Sequence, residues 1–440
     1  MKISFILNGK RVESEIEKNE RLLYTLRERF YLKSVKEGCG IGECGTCTVL
    51  IDNEPHYSCL TLTAKVHGHD VKTVEFLSAS GKLHPLQEAF IKAGAVQCGY
   101  CTPGMLLSAY SLLLSERNPD VKKIREAISG NLCRCTGYQQ IVEAVQDVAK
   151  NGDPGSGFGV LAPDMRDKGQ EKDKDGVLET LYKNRELKLI AGGTDILVKD
   201  RKGQILGEYI DLTGLDELKG IREEDSRIII GSATTHAAIN RSDIVKRKAG
   251  SLAIACGLVG SPQIRNMGTI GGNLVNASPA ADSIPSLLIH DALCILESKK
   301  GIRRIPIGDF ITAPYRTSIA EDEILTFIHL TALDGYREGY EKVAKRASLA
   351  IARLSVAWAI KEEDGVFQGV RISIGSCTPM PFRAKDAENF LIGKKRGEER
   401  TVKDAVSMII GGIVEKSGMR PSYRYKLPVL EDMLFRLLRG

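Results

Sequence analysis

The stretch Glu37–Cys59 constrains this chain more than any other. It reads E-G-C-G-I-G-E-C-G-T-C, runs through an apolar strand and reaches one more cysteine. Cys39, Cys44 and Cys47 have C-x4-C-x2-C spacing, and Cys59 supplies a fourth thiol. That spacing holds a [2Fe-2S] cluster of the plant type. Four thiolates must converge on two irons while backbone N–H groups come close to the sulfurs. Gly38, Gly40, Gly42 and Gly45 permit the tight, left-handed turns this needs. A structural zinc site is the alternative, because zinc also takes four cysteines. Zinc sites usually pair two C-x2-C units, and this loop does not.

The chain has 440 residues, too many for one ordinary domain. Eleven are cysteines, eight of them before residue 140, which argues for metal or redox use rather than disulfides. Both charge signs are interspersed at a net +6 and no basic stripe stands out, so nucleic acid is not an expected partner. No apolar run approaches the ~20 residues of a membrane span. The start, Met1 to Leu7 and then Asn8-Gly9, reads as a strand and hairpin turn rather than a secretory leader. A cytoplasmic location is the expectation.

Residues 1–76 read as a small mixed domain in ferredoxin-like β-grasp order. A hairpin turns at Asn8-Gly9, and a helix is expected on Leu22, Leu23, Leu26 and Phe30. The cysteine loop follows, then a second hairpin turning at Asp52-Asn53. Residues 77–150 change to helical spacing. Thr102-Pro103 predicts a helix start, with threonine as the cap and Met105, Leu106, Ala109, Leu112 and Leu113 on one face. Further helices are expected over Val121–Ser129 and Tyr138–Ala149.

A second cysteine set stands before two of these helices: Cys98 and Cys101, then Cys133 and Cys135. Helix N-termini carry partial positive charge, which suits an anionic thiolate cluster. A second [2Fe-2S] cluster is expected here, with zinc or two unrelated pairs as alternatives.

Residues 151–176 are rich in glycine, proline and mixed charge and read as a linker. Residues 177–333 read as α/β. A strand at Lys188–Ala191 enters Gly192-Gly193-Thr194-Asp195, and a second glycine-rich stretch runs Met267-Gly268-Thr269-Ile270-Gly271-Gly272-Asn273. Two phosphate-cradle candidates in one domain suggest a dinucleotide. The G-x-G-x-x-G fingerprint is missing, so the domain is not of the Rossmann type. Residues 334–440 read as a smaller α+β unit. A helix is expected over Arg346–Lys361 with Trp358 in the core, then a strand at Val370–Ile374 and helices at Ala384–Leu391 and Thr401–Glu415. His236 reads as a hydrogen-bonded loop residue, and Cys256, Cys294 and Cys377 as buried thiols. No catalytic triad stands out.

Taken together, the motifs resemble the small subunit of the xanthine dehydrogenases and, more widely, the iron–sulfur and flavin halves of the molybdenum hydroxylases. The resemblance rests on E-G-C-G-I-G-E-C-G-T-C, Q-C-G-Y-C-T-P-G, N-L-C-R-C-T-G-Y, A-G-G-T-D, M-G-T-I-G-G-N-L-V-N-A-S-P-A-A-D and A-P-Y-R-T. It implies an α+β multidomain chain: a β-grasp [2Fe-2S] domain, a four-helix [2Fe-2S] domain, a vanillyl-alcohol-oxidase-like FAD domain and a C-terminal flavoprotein domain. By the same resemblance, Leu189, Ile190, Ala191, Gly192, Gly193, Thr194, Asp195 and Ile196 would cradle the FAD pyrophosphate. Thr269, Gly272, Asn273 and Asp282 would bind the diphosphate, ribose or adenine side. Val259 and Leu325 would pack on the cofactor, and Lys342 would lie near it. Gln97 would face the molybdopterin of the catalytic part. One departure is Ala350-Ile351-Ala352, where many relatives have D-I-A.

The resemblance also implies that the molybdopterin-containing large subunit is a separate chain. Xanthine or hypoxanthine would be oxidised there. Electrons would then pass through both clusters to FAD and out to NAD⁺. The same wiring serves aldehyde, nicotinate and other N-heterocycle dehydrogenases. A zinc-stabilised scaffold or redox sensor is the alternative of another class.

Overall fold

The computed structural model describes residues 1–79, 81–151, 173–201 and 208–440. They form two compact units. The first takes Met1–Glu171, Leu187–Gly214 and Gly260–Met267, and the second takes Lys172–Glu186, Leu215–Val259 and Gly268–Gly440.

The first unit opens with a five-stranded sheet: β1 Lys2–Leu7, β2 Lys10–Glu15, β3 Thr48–Ile51, β4 Glu54–Tyr57 and β5 Asp70–Lys72, in the order β2-β1-β5-β3-β4. β1 runs parallel to β5, and the other pairs are antiparallel. Both hairpins turn on two left-handed residues, Asn8-Gly9 and Asp52-Asn53, as a two-residue turn that matches strand twist requires. The helix expected near Leu22 is one α-turn, Leu22–Tyr24, running into a wider π-helical turn, Thr25–Arg29. Leu22, Leu23 and Leu26 are fully buried, and Phe30 meets Phe5 edge-on at 5.7 Å.

Four helices follow: Pro85–Lys92, Thr102–Ser115, Val121–Ala127 and Gln139–Asn151. The cap of the second is Cys101, not Thr102; Thr102 and Pro103 are its first helical residues, because the Cys101 carbonyl already accepts from Met105 N–H. Ile141, Val142, Val145 and Val148 all point inward, as do Met105, Leu106, Ala109 and Leu113; Leu112 is only half-buried. A parallel strand pair, β6 Lys188–Ile190 and β7 Tyr209–Asp211, completes the unit with the helix Ile196–Arg201.

Residues 152–172 of the expected linker lie outside the described residues. Its last residues belong to a helix, Lys174–Lys183. The Asp173 side chain caps that helix on Gly176 N–H, and Val177, Leu178 and Leu181 supply a buried stripe.

The second unit holds two larger antiparallel sheets and a two-stranded one, Ile311–Ala313 with Arg316–Thr317. Of the larger two, one orders Gly301–Pro306, Leu293–Ser298, Ile324–Thr331, Arg227–Gly231 and Ile221–Glu224. Helices including Gly250–Gly257, Ile270–Asn276 and Ser283–Ile289 bury their apolar sides in its core. The other sheet orders Arg337–Val343, Leu354–Glu363, Val366–Gly375 and Phe382–Arg383, with helices Lys385–Leu391, Glu399–Ser417 and Tyr423–Arg439 beside its core.

The helix expected over Arg346–Lys361 is therefore wrong. Leu354–Glu363 is a ten-residue strand between two neighbours, and its first half is buried on both faces. A strand covered on both faces shows no alternation, so its apolar run mimics a helix. Trp358 is half-buried rather than central, and its ring leaves no room for a Cβ at Gly339. Among the described residues no helix is long and apolar enough to cross a membrane.

Candidate iron–sulfur and flavin sites

The first cysteine set is built by backbone that bends around sulfur. Gly40, Gly42 and Gly45 take φ of 66°, 76° and 73°. These turns aim the N–H groups of Ile41, Glu43 and Cys44 at Cys39 Sγ, at 3.5, 3.2 and 3.4 Å. Cys39 N–H in turn donates to Cys44 Sγ at 3.3 Å. Gly38 is needed for space: a Cβ there would stand 2.7 Å from Cys44 Sγ. The Cys39 thiol is pulled down to about 5 by its hydrogen bond with Cys44 and by the three N–H donors, against its burial. Cys44, as the donor of that pair, is pushed up.

The sulfurs meet in couples. Cys39 faces Cys44, and Cys47 faces Cys59, with cross-interactions between the couples. Cys47 and Cys59 are buried. In the second set Cys98 faces Cys135, and Cys101 faces Cys133. Two couples per set match two irons, each taking two thiolates, with N–H donors left for the sulfurs. The eight proposed ligands therefore fit a [2Fe-2S] cluster in each set.

The second set is more open. Cys98 and Cys135 are exposed, whereas Cys101 and Cys133 are buried. Cys101 caps the helix Thr102–Ser115, and burial pushes its thiol up to about 12. Cys133 Sγ accepts from Cys135 and Thr136 N–H, both at 3.5 Å, and lies 3.2 Å from Thr136 Oγ1. Gln97, beside Cys98, is exposed.

A buried clamp fixes the two sets against each other. Leu132 N–H donates to Cys44 O at 2.9 Å. Asn131 Nδ2 donates to Gly45 O at 2.9 Å, and Asn131 Oδ1 accepts from Ser108 Oγ at 2.7 Å and Gln263 Nε2 at 3.0 Å. Tyr57 OH donates to Gly130 O at 2.8 Å. Asn131 and Gln263 are 1% and 0% exposed, so each lost bond would leave a dry polar group. Asn131 stands in the N-L-C-R-C-T-G-Y motif, but neither its tie nor that of Gln263 is legible in the sequence, because their partners lie 86 and 132 positions away.

The residues expected to cradle FAD occur in both units. In the first, Leu189–Asp195 forms a strand end and turn, with Gly193 at φ 78° and Ile196 opening a helix. Gly192 and Gly193 are buried, and among the described residues none accepts from the N–H groups of Gly192, Gly193 or Thr194. Free N–H groups around a left-handed glycine are what a pyrophosphate needs. Lys65 braces the turn from behind, donating to Ala191 O and pairing with Asp211 Oδ1 at 3.0 Å.

In the second unit the expected side chains already have work inside the protein. Thr269 Oγ1 caps its own helix on Gly272 N–H at 3.1 Å, and Asn273 Oδ1 accepts from Ser283 Oγ at 2.6 Å. Asp282 is 7% exposed; Lys342 Nζ and Tyr340 OH hold its two oxygens, each at 2.7 Å. Burial pushes the Asp282 carboxyl up, and those two partners pull it back. Lys342 also donates to Leu258 O at 3.0 Å, beside half-buried Val259. Leu325 is packed into the sheet core. His236 is not in a loop: it is buried at a helix start, 3.3 Å from Cys256 Sγ. Cys256, Cys294 and Cys377 are buried thiols.

Comparison with known proteins follows the same division. Residues 5–71 match the 2Fe-2S iron-sulfur cluster binding domain, and residues 73–146 match a [2Fe-2S] binding domain. Residues 171–331 match the FAD binding domain in molybdopterin dehydrogenase, and residues 340–440 match the CO dehydrogenase flavoprotein C-terminal domain. Segment by segment, the chain is similar to the iron–sulfur and flavin domains of molybdopterin dehydrogenases and CO dehydrogenase.

Among curated relatives, indole-3-acetaldehyde oxidase of Arabidopsis thaliana is 29% identical over all of this chain and 39% of its own length. Aldehyde oxidase 1 of Macaca fascicularis is 26% identical over 98% of this chain and 39% of its own. The chain thus spans about two fifths of these relatives. Among solved structures, carbon monoxide dehydrogenase from Hydrogenophaga pseudoflava is 28% identical, with a TM-score of 0.56 over 60% of this chain and 93% of the compared chain.

Proposed function

We propose that this chain is the electron-transfer part of a molybdenum hydroxylase. It passes electrons from a molybdopterin-containing large subunit, through two [2Fe-2S] clusters, to FAD and then to NAD⁺ in the cytoplasm. The observation that carries the proposal is the pairing of eight cysteines into two couples per set, with both sets locked together by Asn131 and Leu132. Clusters relay single electrons, and a flavin collects two and delivers a hydride. What the protein supplies is fixed spacing, insulation and N–H donors to sulfur. Cys39, Cys44, Cys47 and Cys59 hold the buried cluster, and Cys98, Cys101, Cys133 and Cys135 hold the outer one. The turn Gly192–Asp195 offers its N–H groups to the FAD pyrophosphate.

Two substrate classes follow from different supports. The motifs resemble those of the xanthine dehydrogenases, which favours hypoxanthine and xanthine. The named relatives are aldehyde oxidases, which favours aldehydes. The test is anaerobic bleaching of the visible spectrum, with the chain purified together with its large subunit. Bleaching by xanthine supports the xanthine dehydrogenase form, and bleaching by aldehydes alone supports the other. If neither substrates nor NADH bleach the bands, the electron-transfer proposal fails.

A further inference from the structure

Arg21 is a buried cation that touches the first cysteine set and the helix behind the Gly192–Asp195 turn. It is 7% exposed. Nη1 donates to Cys59 O at 3.0 Å and reaches Gly40 O at 3.4 Å. Nη2 donates to Leu197 O at 2.7 Å and to Asp200 Oδ2 at 3.2 Å. One guanidinium thus joins the first cysteine set to the helix that follows the Gly192–Asp195 turn. The partners on the two sides are not alike. On the cysteine side they are neutral carbonyls, which bring no negative charge of their own. On the helix side a carboxylate meets it, and that side chain is 29% exposed.

A buried arginine persists only where its donors are met, and here three carbonyls and a carboxylate meet them. Its planar fork serves two partners on each side with fixed geometry, which the single ammonium of a lysine cannot do. A positive charge close to a group that becomes more negative on reduction favours the reduced form.

We infer that Arg21 is a positioning residue for electron transfer: it ties the Cys39–Cys59 loop to the helix that leaves the Gly192–Asp195 turn, through Leu197 and Asp200, and raises the electron affinity of the cluster that loop holds. The inference rests on the function proposed above.

The test uses the full chain loaded with clusters and flavin. A potentiometric titration is followed by electron paramagnetic resonance, with the two cluster signals assigned through Cys98→Ala, which removes the outer one. In Arg21→Met the inner cluster becomes about tenfold harder to reduce, about 59 mV for one electron, while the outer cluster is unchanged. Arg21→Lys restores the charge and most of that potential, but flavin reduction in stopped flow stays slower than in the unmodified chain. Asp200→Asn removes the opposing charge and moves the inner cluster the other way. That change of sign carries the test if Arg21→Met does not fold. An inner-cluster potential that stays put in Arg21→Met and Asp200→Asn overturns the inference and leaves the proposed function standing. An unmodified chain with no pair of [2Fe-2S] signals and no flavin overturns both.

Discussion

Gly45→Ala isolates the contact between the two cluster loops. Gly45 sits at φ 73°, and a Cβ there would lie 2.2 Å from Gly130 O and 2.8 Å from Asn131 Cα. Two costs add. A left-handed alanine costs about 1–2 kcal/mol. The overlap falls on backbone, so relief means moving the Gly130–Leu132 loop, which costs about 1–3 kcal/mol more. Gly137 provides the control: its φ is 64°, but nothing lies within 4 Å of its Cβ position. Gly137→Ala therefore carries the first cost alone. The difference of about 1–3 kcal/mol corresponds to about five- to 150-fold in loop opening. A chain of several domains has no single unfolding free energy, so the assay is a rate: loss of iron to a chelator, anaerobically, from the loaded chain. Gly45→Ala should lose iron faster than Gly137→Ala by about that factor. Equal rates would refute the packing argument and the role of the clamp.

Three other outcomes are expected. Lys342→Met strands the Asp282 carboxylate and should destabilise the second unit locally by about 3–5 kcal/mol, whereas the pair Lys342→Met with Asp282→Asn should recover much of the loss; the melting transition of that unit in both variants decides this. Glu20 is held down to about 2 by Arg29, helped by Thr25 and the Glu17 N–H. Its stabilisation is therefore complete above the ordinary carboxyl range, near pH 4.5, and is lost as pH falls toward 2. Glu20→Gln should flatten the acid dependence of the first unit's stability over that window by about 1 kcal/mol, because the Arg29 partner is partly exposed and solvent screens the pair, read by circular dichroism. Cys135→Ala should remove the outer cluster's resonance signal while NADH still bleaches the flavin, because the inner set and the Gly192–Asp195 turn share no residue with it.

What could be read from the sequence was local. Cysteine spacing, with interspersed glycines in the first loop and helix starts beside the second, marked both cluster loops, because ligands and backbone donors lie within a few residues of one another. The Asn8-Gly9 and Asp52-Asn53 turns were readable for the same reason. The elements that set distances were not. Arg21 meets Leu197 across 176 positions, and Gln263 meets Asn131 across 132, so no window contains either pair. Period failed where burial is two-sided, as in Leu354–Glu363. It also misled at Thr102, where a cysteine rather than the threonine caps the helix. Composition marked Asp173–Gly176 as linker, although Asp173 caps a helix whose apolar stripe starts only at Val177.

The most direct measurement is the content of iron, acid-labile sulfide and flavin in the purified chain, taken with its visible spectrum. Two clusters and one flavin predict two irons and two sulfides per cysteine set, with one FAD per chain. Zinc in place of iron, without labile sulfide and without flavin, would contradict the assignment of the eight cysteines and the electron-transfer function built on them.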